Sequence, residues 1–221
     1  MQRRTHDWRI DERQYARHES RRGRRHAFEQ LDPRRTALVV VDVVPFFVEQ
    51  NEYAFGLVPR VNALATALRD AGGTVAWVVP GPSRRTAVDR EFYGEEVAAA
   101  YSASGGSGPL RDRLWHELEV REDTDLLVEK SAASAFFPGR SPLPELLAER
   151  GIDTVVVTGT VTNVCCESTV RDASTLGYRV VLVADACAAV DDQDHNASLH
   201  VVYRSFGDVR PTSAVLELIG A

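Results

Sequence analysis

Five short runs of apolar, largely β-branched residues constrain this chain more than any other feature of it. They are Ala37-Leu38-Val39-Val40-Val41, Val75-Ala76-Trp77-Val78-Val79, Leu126-Leu127-Val128, Val155-Val156-Val157 and Val180-Val181-Leu182-Val183. Each is continuous rather than alternating, the mark of a strand covered on both faces. Helical patterns lie between them. Leu57, Val61, Leu64, Ala65, Leu68 and Ala71 recur at helical spacing and stop at Gly72-Gly73. A second helix is expected from Ser141-Pro142 through Leu143, Leu146 and Leu147 to Gly151, with serine as cap and proline in the first turn. Others are expected over 163–177 and 194–205, then a short strand near Val209 and a last helix. Strands alternating with helices and buried on both faces give a doubly wound α/β domain, its sheet mostly parallel with helices on both faces.

The 221 residues suffice for one sizeable core and are short for two. Residues 32–221 are therefore expected to form a single domain. Residues 1–31 differ in kind, crowded with arginines such as Arg3, Arg4, Arg21, Arg22, Arg24 and Arg25. Acids (Asp7, Asp11, Glu12, Glu19) dilute that charge, and the net charge of the chain is −6. This favours an arm packed over the body or over a neighbouring subunit, rather than a nucleic-acid binder. No stretch is apolar and long enough to span a membrane, and the basic N-terminus lacks the apolar block of a signal peptide. Three cysteines, two of them adjacent, make no disulfide framework, so a reducing cytoplasm is expected.

Parallel sheets of this kind bind ligands beyond the carboxyl ends of their strands. Three reactive groups stand there. The first strand ends in Asp42, and the third ends in Lys130, the single lysine of the chain. A GC-rich genome also depletes lysine, so its rarity alone has a compositional explanation. The fourth strand runs through Gly159-Thr160-Val161-Thr162-Asn163-Val164 into Cys165, expected in the first turn of a helix. A helix N-terminus and a nearby ammonium would both lower the thiol pKa, two units corresponding to about 2.7 kcal/mol. Asp42 would hold the lysine, accept the thiol proton and return it to a leaving amine. Backbone amides of the turn are placed to form an oxyanion hole. Cys166 falls on the stripe of Thr169, Val170, Ala173 and Leu176 and is expected in the core, as is Cys187 after the fifth strand. Asp185 reads as support at that strand end.

These residues carry a resemblance. Leu38-Val39-Val40-Val41-Asp42, Glu129-Lys130 with Ser134-Ala135-Phe136, and Gly159-Thr160-Val161-Thr162-Asn163-Val164-Cys165 running into Glu167-Ser168-Thr169-Val170-Arg171-Asp172-Ala173 resemble the isochorismatase-like cysteine hydrolases, over roughly residues 35–220. The resemblance implies a six-stranded α/β/α sandwich and an Asp–Lys–Cys triad at Asp42, Lys130 and Cys165. It also implies a cis peptide between Thr160 and Val161, an oxyanion hole from the amides of Val161 and Cys165, and a homodimer or homotetramer. No cofactor is implied. Nicotinamidases of the family carry histidine metal ligands early in the chain; no histidine lies between His26 and His116, so no metal is expected. Isochorismatases proper lack the cysteine, so its presence favours the amidohydrolase branch. Where members often read Met-Gln-Asn-Asp-Phe, this chain has Val43-Val44-Pro45-Phe46-Phe47, which predicts a less polar pocket.

Substrate contacts are expected from Phe47 and Phe136, which follow triad members, and from Asn163, which is also placed to cap the helix. His195 and His200 read as surface or packing residues. The segment 80–109, with Arg84, Arg85, Tyr93 and Tyr101, is a candidate lid. The leading functional expectation is hydrolysis of a small amide, carbamoyl or ureido compound through a thioester, releasing ammonia. Vinyl-ether hydrolysis of the isochorismatase type and a non-catalytic thiol sensor or binding protein are the alternatives.

Overall fold

The computed structural model describes residues 1–82 and 86–220. Six strands, β1 (Thr36–Val41), β2 (Thr74–Pro80), β3 (Leu126–Lys130), β4 (Thr154–Thr160), β5 (Arg179–Ala188) and β6 (Asp208–Arg210), form one all-parallel sheet in the order β3-β2-β1-β4-β5-β6. The doubly wound α/β expectation is met. The ten α-helices of the described residues are α1 (Glu12–Arg22), α2 (Pro45–Val48), α3 (Glu52–Asp70), α4 (Ala87–Tyr93), α5 (Glu95–Ala103), α6 (Leu110–Arg113), α7 (Leu143–Glu149), α8 (Glu167–Thr175), α9 (Asp192–Ser205) and α10 (Thr212–Ile219). None is long and apolar enough to cross a membrane.

Every residue of β1 is buried, because its side chains serve two cores in turn. Ala37, Val39 and Val41 pack with Leu143 and Leu147 of α7, Val170 of α8 and Leu199 of α9. Leu38 and Val40 pack with Leu57, Val61, Leu64 and Leu68 of α3 and Val215 of α10. Each such side chain, once fully buried, contributes about 1.5–3 kcal/mol relative to exposure, which is why the runs carry no polar alternation. The strand order reverses between β1 and β4, and the crevice there is the expected ligand site of such a sheet.

Three elements differ from the sequence pattern. β5 continues past Val183 to Ala188 by way of an irregularity opposite β4, so Cys187 lies within the strand, opposite Gly159. The expected helix over 163–177 opens as a π-helical turn, Thr162–Cys166, before α8. Leu176 is the C-cap of α8 and is 53% exposed, off the stripe that buries Cys166, Thr169, Val170 and Ala173. The segment after β2 is largely helical, as α4, α5 and α6, rather than irregular. Arg84 and Arg85 lie outside the described residues.

Residues 1–31 lie on the body. Ile10 and His18 are buried, and Asp208 accepts hydrogen bonds from the amides of Ala27 (2.7 Å) and Phe28 (2.9 Å). The Tyr203 hydroxyl donates to the Arg25 carbonyl.

Gly159 shows how tightly the sheet closes at the switch point. Its φ is +118°, and a Cβ there would stand 2.0 Å from the Val41 carbonyl oxygen. Neither demand leaves room for a side chain. Gly159→Ala is expected to destabilise the fold by about 3 kcal/mol or more, read as a lowered Tm or loss of soluble protein.

Candidate active site

Asp42 is the first residue beyond β1, and its φ of +54° turns the chain out of the sheet. Aspartate tolerates that left-handed conformation better than most residues. Its amide still donates to the Val78 carbonyl (2.9 Å), and its own carbonyl accepts from the Thr160 hydroxyl (2.5 Å). Both ends of the residue are thereby fixed.

Lys130 ends β3, two strands from β1 in the order β3-β2-β1. Two strand spacings are about 9.6 Å, so only a long side chain can bring a cation over the end of β2 to the aspartate. The ammonium reaches it. Nζ lies 2.7 Å from Asp42 Oδ2, with both side chains no more than 2% exposed, and donates to the Ala132 carbonyl at 3.0 Å.

Cys165 sits in the π-helical turn that follows β4, and the Thr160–Val161 peptide bond at the head of that turn is cis. Turns of this type recur at functional sites because they re-aim one side chain within a helix. The thiol shares the cavity with the Asp42 carboxylate and the Lys130 ammonium, close enough for both to act on its ionisation, and the backbone of Val161 also faces the sulfur. Cys166, one residue on, is fully buried beneath the sheet. Cys187 is buried too, its thiol 3.7 Å from the Val157 carbonyl.

The electrostatics correct one expectation. Burial pushes the Cys165 thiol up to about 12, the Asp42 carboxylate pushes the same way, and the Lys130 ammonium opposes both without prevailing. Cys165 is thus a thiol at rest, not a preformed thiolate. Burial pulls Lys130 down, but the Asp42 charge 2.7 Å away leads the influences that outweigh it and raise its pKa, so the ammonium persists. Burial raises the Asp42 carboxyl against the pull of Lys130. At 2.7 Å from a persistent ammonium, the aspartate is ionised at neutral pH, and burial makes it a stronger base than a surface carboxylate.

The three groups open into a cavity of about 580 Å³ that Val161 and Phe47 also line. Its far wall comes from the α4–α5 segment, with Thr86, Asp89, Tyr93 and Tyr101, and its rim from Ser131–Ala133 and Arg140. Arg140 is anchored to Ser131, donating from Nε to Oγ (2.9 Å) and from Nη2 to the carbonyl (2.6 Å). None of these wall residues except the two tyrosines stood out in the sequence. The Thr86–Asp89 capping box at the start of α4 was the available signal. Among the described residues, no cluster of three or more His, Cys, Asp or Glu could hold a metal ion.

Other expected contacts are absent. Phe136 is fully buried and packs edge-on against Tyr178 at 5.2 Å, because the chain dives into the core once it has skirted the rim. It belongs to the core and does not line the cavity. Asn163 neither lines the cavity nor caps a helix; its side-chain oxygen is buried without a hydrogen-bond partner among the described residues. Val43 and Val44 face the core, so they do not make the pocket less polar. Asp185 accepts from the amide (2.7 Å) and hydroxyl (2.8 Å) of Thr212 and supports the start of α10. His195 is fully buried beneath the Thr162–Cys166 turn, and its Nδ1 lies 2.9 Å from Thr162 Oγ1.

Residues 36–214 match the isochorismatase domain family. An uncharacterized isochorismatase family protein, YwoC of Bacillus subtilis (strain 168), is 30% identical over 86% of this chain and 96% of its own. A cysteine hydrolase from Pseudomonas syringae pv. phaseolicola 1448A superposes with a TM-score of 0.76 at 28% identity, covering 88% of this chain and 96% of that one. N-carbamoylsarcosine amidase from Thermoplasma acidophilum does so with a TM-score of 0.64 at 26% identity, covering 80% and 96%. The chain belongs to the isochorismatase family of hydrolases.

Proposed function

We propose that the protein is a cysteine-dependent amidohydrolase that cleaves the C–N bond of a small amide, carbamoyl or ureido compound and releases ammonia. The observation that carries this reading is the thiol of Cys165 held against the Asp42 carboxylate, itself 2.7 Å from the Lys130 ammonium, in one cavity. Ionising the thiol to bulk water at pH 7 would cost roughly 7 kcal/mol, given a pKa near 12. Attack concerted with proton transfer to the adjacent carboxylate avoids that cost.

Asp42 takes the proton as Cys165 Sγ bonds to the carbonyl carbon. The amides of Val161 and Cys165 receive the developing oxyanion. The tetrahedral species collapses by expelling the amine, to which Asp42 returns the proton, leaving a thioester on Cys165. Water, deprotonated by Asp42, then attacks the thioester, releases the acid and restores the thiol. Lys130 keeps Asp42 charged at the start of each half-reaction. Phe47 supplies an apolar wall to the substrate, and the remaining donors of Arg140 suit an anionic group at its far end. The same reading includes a homodimer or homotetramer.

The test is ammonia release from a panel of ureido, carbamoyl and primary amide compounds, with mass spectrometry of quenched enzyme for an acyl adduct on Cys165. Ammonia with an adduct supports the reading. Silence across the panel together with turnover of isochorismate would replace it by vinyl-ether hydrolysis.

A further inference from the structure

Residues 4–9 form a strap outside the segment that matches the family, clamped between the first turns of α3 and α9. Arg4 donates its amide to the Glu52 carbonyl at 3.1 Å. Arg9 donates its amide to the side chain of Asn196 at 2.7 Å, and the Asn196 amide donates back to the Asp7 carbonyl at 2.9 Å. The helix beneath is shaped for this strap. Gly56 of α3 has no side chain where a Cβ would stand 1.8 Å from the Arg4 carbonyl oxygen.

The strap inserts one side chain. The His6 ring is sandwiched between Tyr53 (centroids 3.8 Å apart) and His195 (4.1 Å), both nearly coplanar with it. Its Nε2 accepts from the Ala189 amide at 3.1 Å, so the ring proton is on Nδ1 and is donated to Asp192 Oδ1 at 2.6 Å. Both nitrogens are thus committed, and the ring cannot turn. Its face covers His195, whose Nδ1 holds the hydroxyl of Thr162 at 2.9 Å. Thr162 is the first residue of the turn that carries Cys165, and its carbonyl accepts from Ser198 Oγ at 3.2 Å.

We infer that the N-terminal strap is a working part of the active site, in which His6 acts as a positioning residue. Through His195 and Thr162 it fixes the turn that presents Cys165 to Asp42. The inference rests on Cys165 being the nucleophile, but not on the substrate being an amide. Without His6, water reaches the exposed face of His195 and competes for the Thr162 hydroxyl. The turn then loosens, and the thiol moves away from the carboxylate that suppresses its ionisation. Catalytic competence falls while reactivity toward a small alkylating agent rises, a pairing of opposite signs that simple loss of active protein does not produce.

The experiment compares His6→Ala, Gly56→Ala and Thr162→Val with wild type, all as full-length chains. Circular dichroism melts establish that the body is folded. Gly56→Ala dislodges the strap without touching His6, and alanine favours the helix over glycine. Iodoacetamide is the probe of Cys165 at pH 8, with the modified residue located by mass spectrometry. All three variants are expected to label Cys165 at least about fivefold faster than wild type. His6→Ala and Thr162→Val combined are expected to match either single variant, because both act on one link. On any amide the wild type turns over, kcat falls about tenfold with KM unchanged. Wild-type labelling rates in both strap variants, or effects of His6→Ala and Thr162→Val that multiply, would overturn the inference. If no amide is turned over, the amide reading fails and the labelling rates still decide this one.

Discussion

Replacing Cys165 with alanine is expected to abolish ammonia release, by at least about four orders of magnitude in kcat, with the fold intact. The magnitude follows from chemistry: without sulfur there is no covalent intermediate, and the remaining oxyanion donors recover only a small part of the rate. The intact fold follows from position. Cys165 lines the cavity and only its flank packs against one core, so the Tm of the variant should stay within a few degrees of wild type. Cys166→Ala is the contrasting control. That thiol is fully buried, so its loss should cost about 1–3 kcal/mol of stability while leaving turnover per folded molecule nearly unchanged. Cys165→Ser should also be inactive, because a carboxylate base matched to a thiol is far too weak for a serine hydroxyl. Ammonia release by Cys165→Ala at wild-type rate would remove the nucleophile from the mechanism.

The strands and the placement of Asp42, Lys130 and Cys165 beyond their ends were legible because both follow from short-range rules. A strand buried on both faces has to be continuously apolar, and the chain has to turn at its carboxyl end, where Asp42 and Lys130 stand. Helix starts were legible less well. The π-helical turn at Thr162–Cys166 leaves no trace in a helical pattern, since its neighbours Cys166, Thr169 and Val170 keep the same buried stripe. Phe136 shows a different limit. Its distance along the chain from Lys130 suggests proximity to the site, whereas its side-chain direction depends on how the Ser131–Ala133 rim bends, which is a tertiary property.

Phe47, Tyr93 and Tyr101 were legible as cavity residues, but the rest of the wall and the thiol pKa were not, for a shared reason: both are sums over residues far apart in sequence. Thr86, Asp89 and Arg140 join them only after the sheet has formed. The expectation of a low thiol pKa counted a helix end and an ammonium. It omitted burial and the repulsion between a thiolate and Asp42, which decide the outcome. The arginine-rich composition of residues 1–31 likewise concealed what matters in them, a single histidine inserted beside His195.

Lys130→Met is expected to lower stability by about 3–5 kcal/mol at neutral pH, a fall in Tm of roughly 6–20 °C, and to remove activity. Both partners of the pair are no more than 2% exposed, so the variant leaves a carboxylate buried without its counter-charge. The pH dependence gives the cause away. Burial already raises the Asp42 pKa against the pull of Lys130, and without the ammonium it rises further. A carboxyl whose pKa is raised on folding stabilises the native state fully below its unfolded value near 3.9, and that contribution is lost as pH rises through the folded pKa. The deficit of Lys130→Met against wild type should therefore be greatest near pH 7.5 and shrink on acidification toward pH 5. The Asp42 that escapes this cost by taking up a proton cannot accept the thiol proton, and the Asp42 that stays charged has lost the ammonium that positions it, which together account for the loss of turnover in the same variant. Combining it with Asp42→Asn removes the stranded charge and should restore stability to within about 2 kcal/mol of wild type, without restoring activity. Thermal unfolding of the three variants across that pH range is the measurement. A Lys130→Met protein as stable as wild type at pH 7.5 would mean that Asp42 is neutral in the native state, and a neutral Asp42 leaves Cys165 with no base.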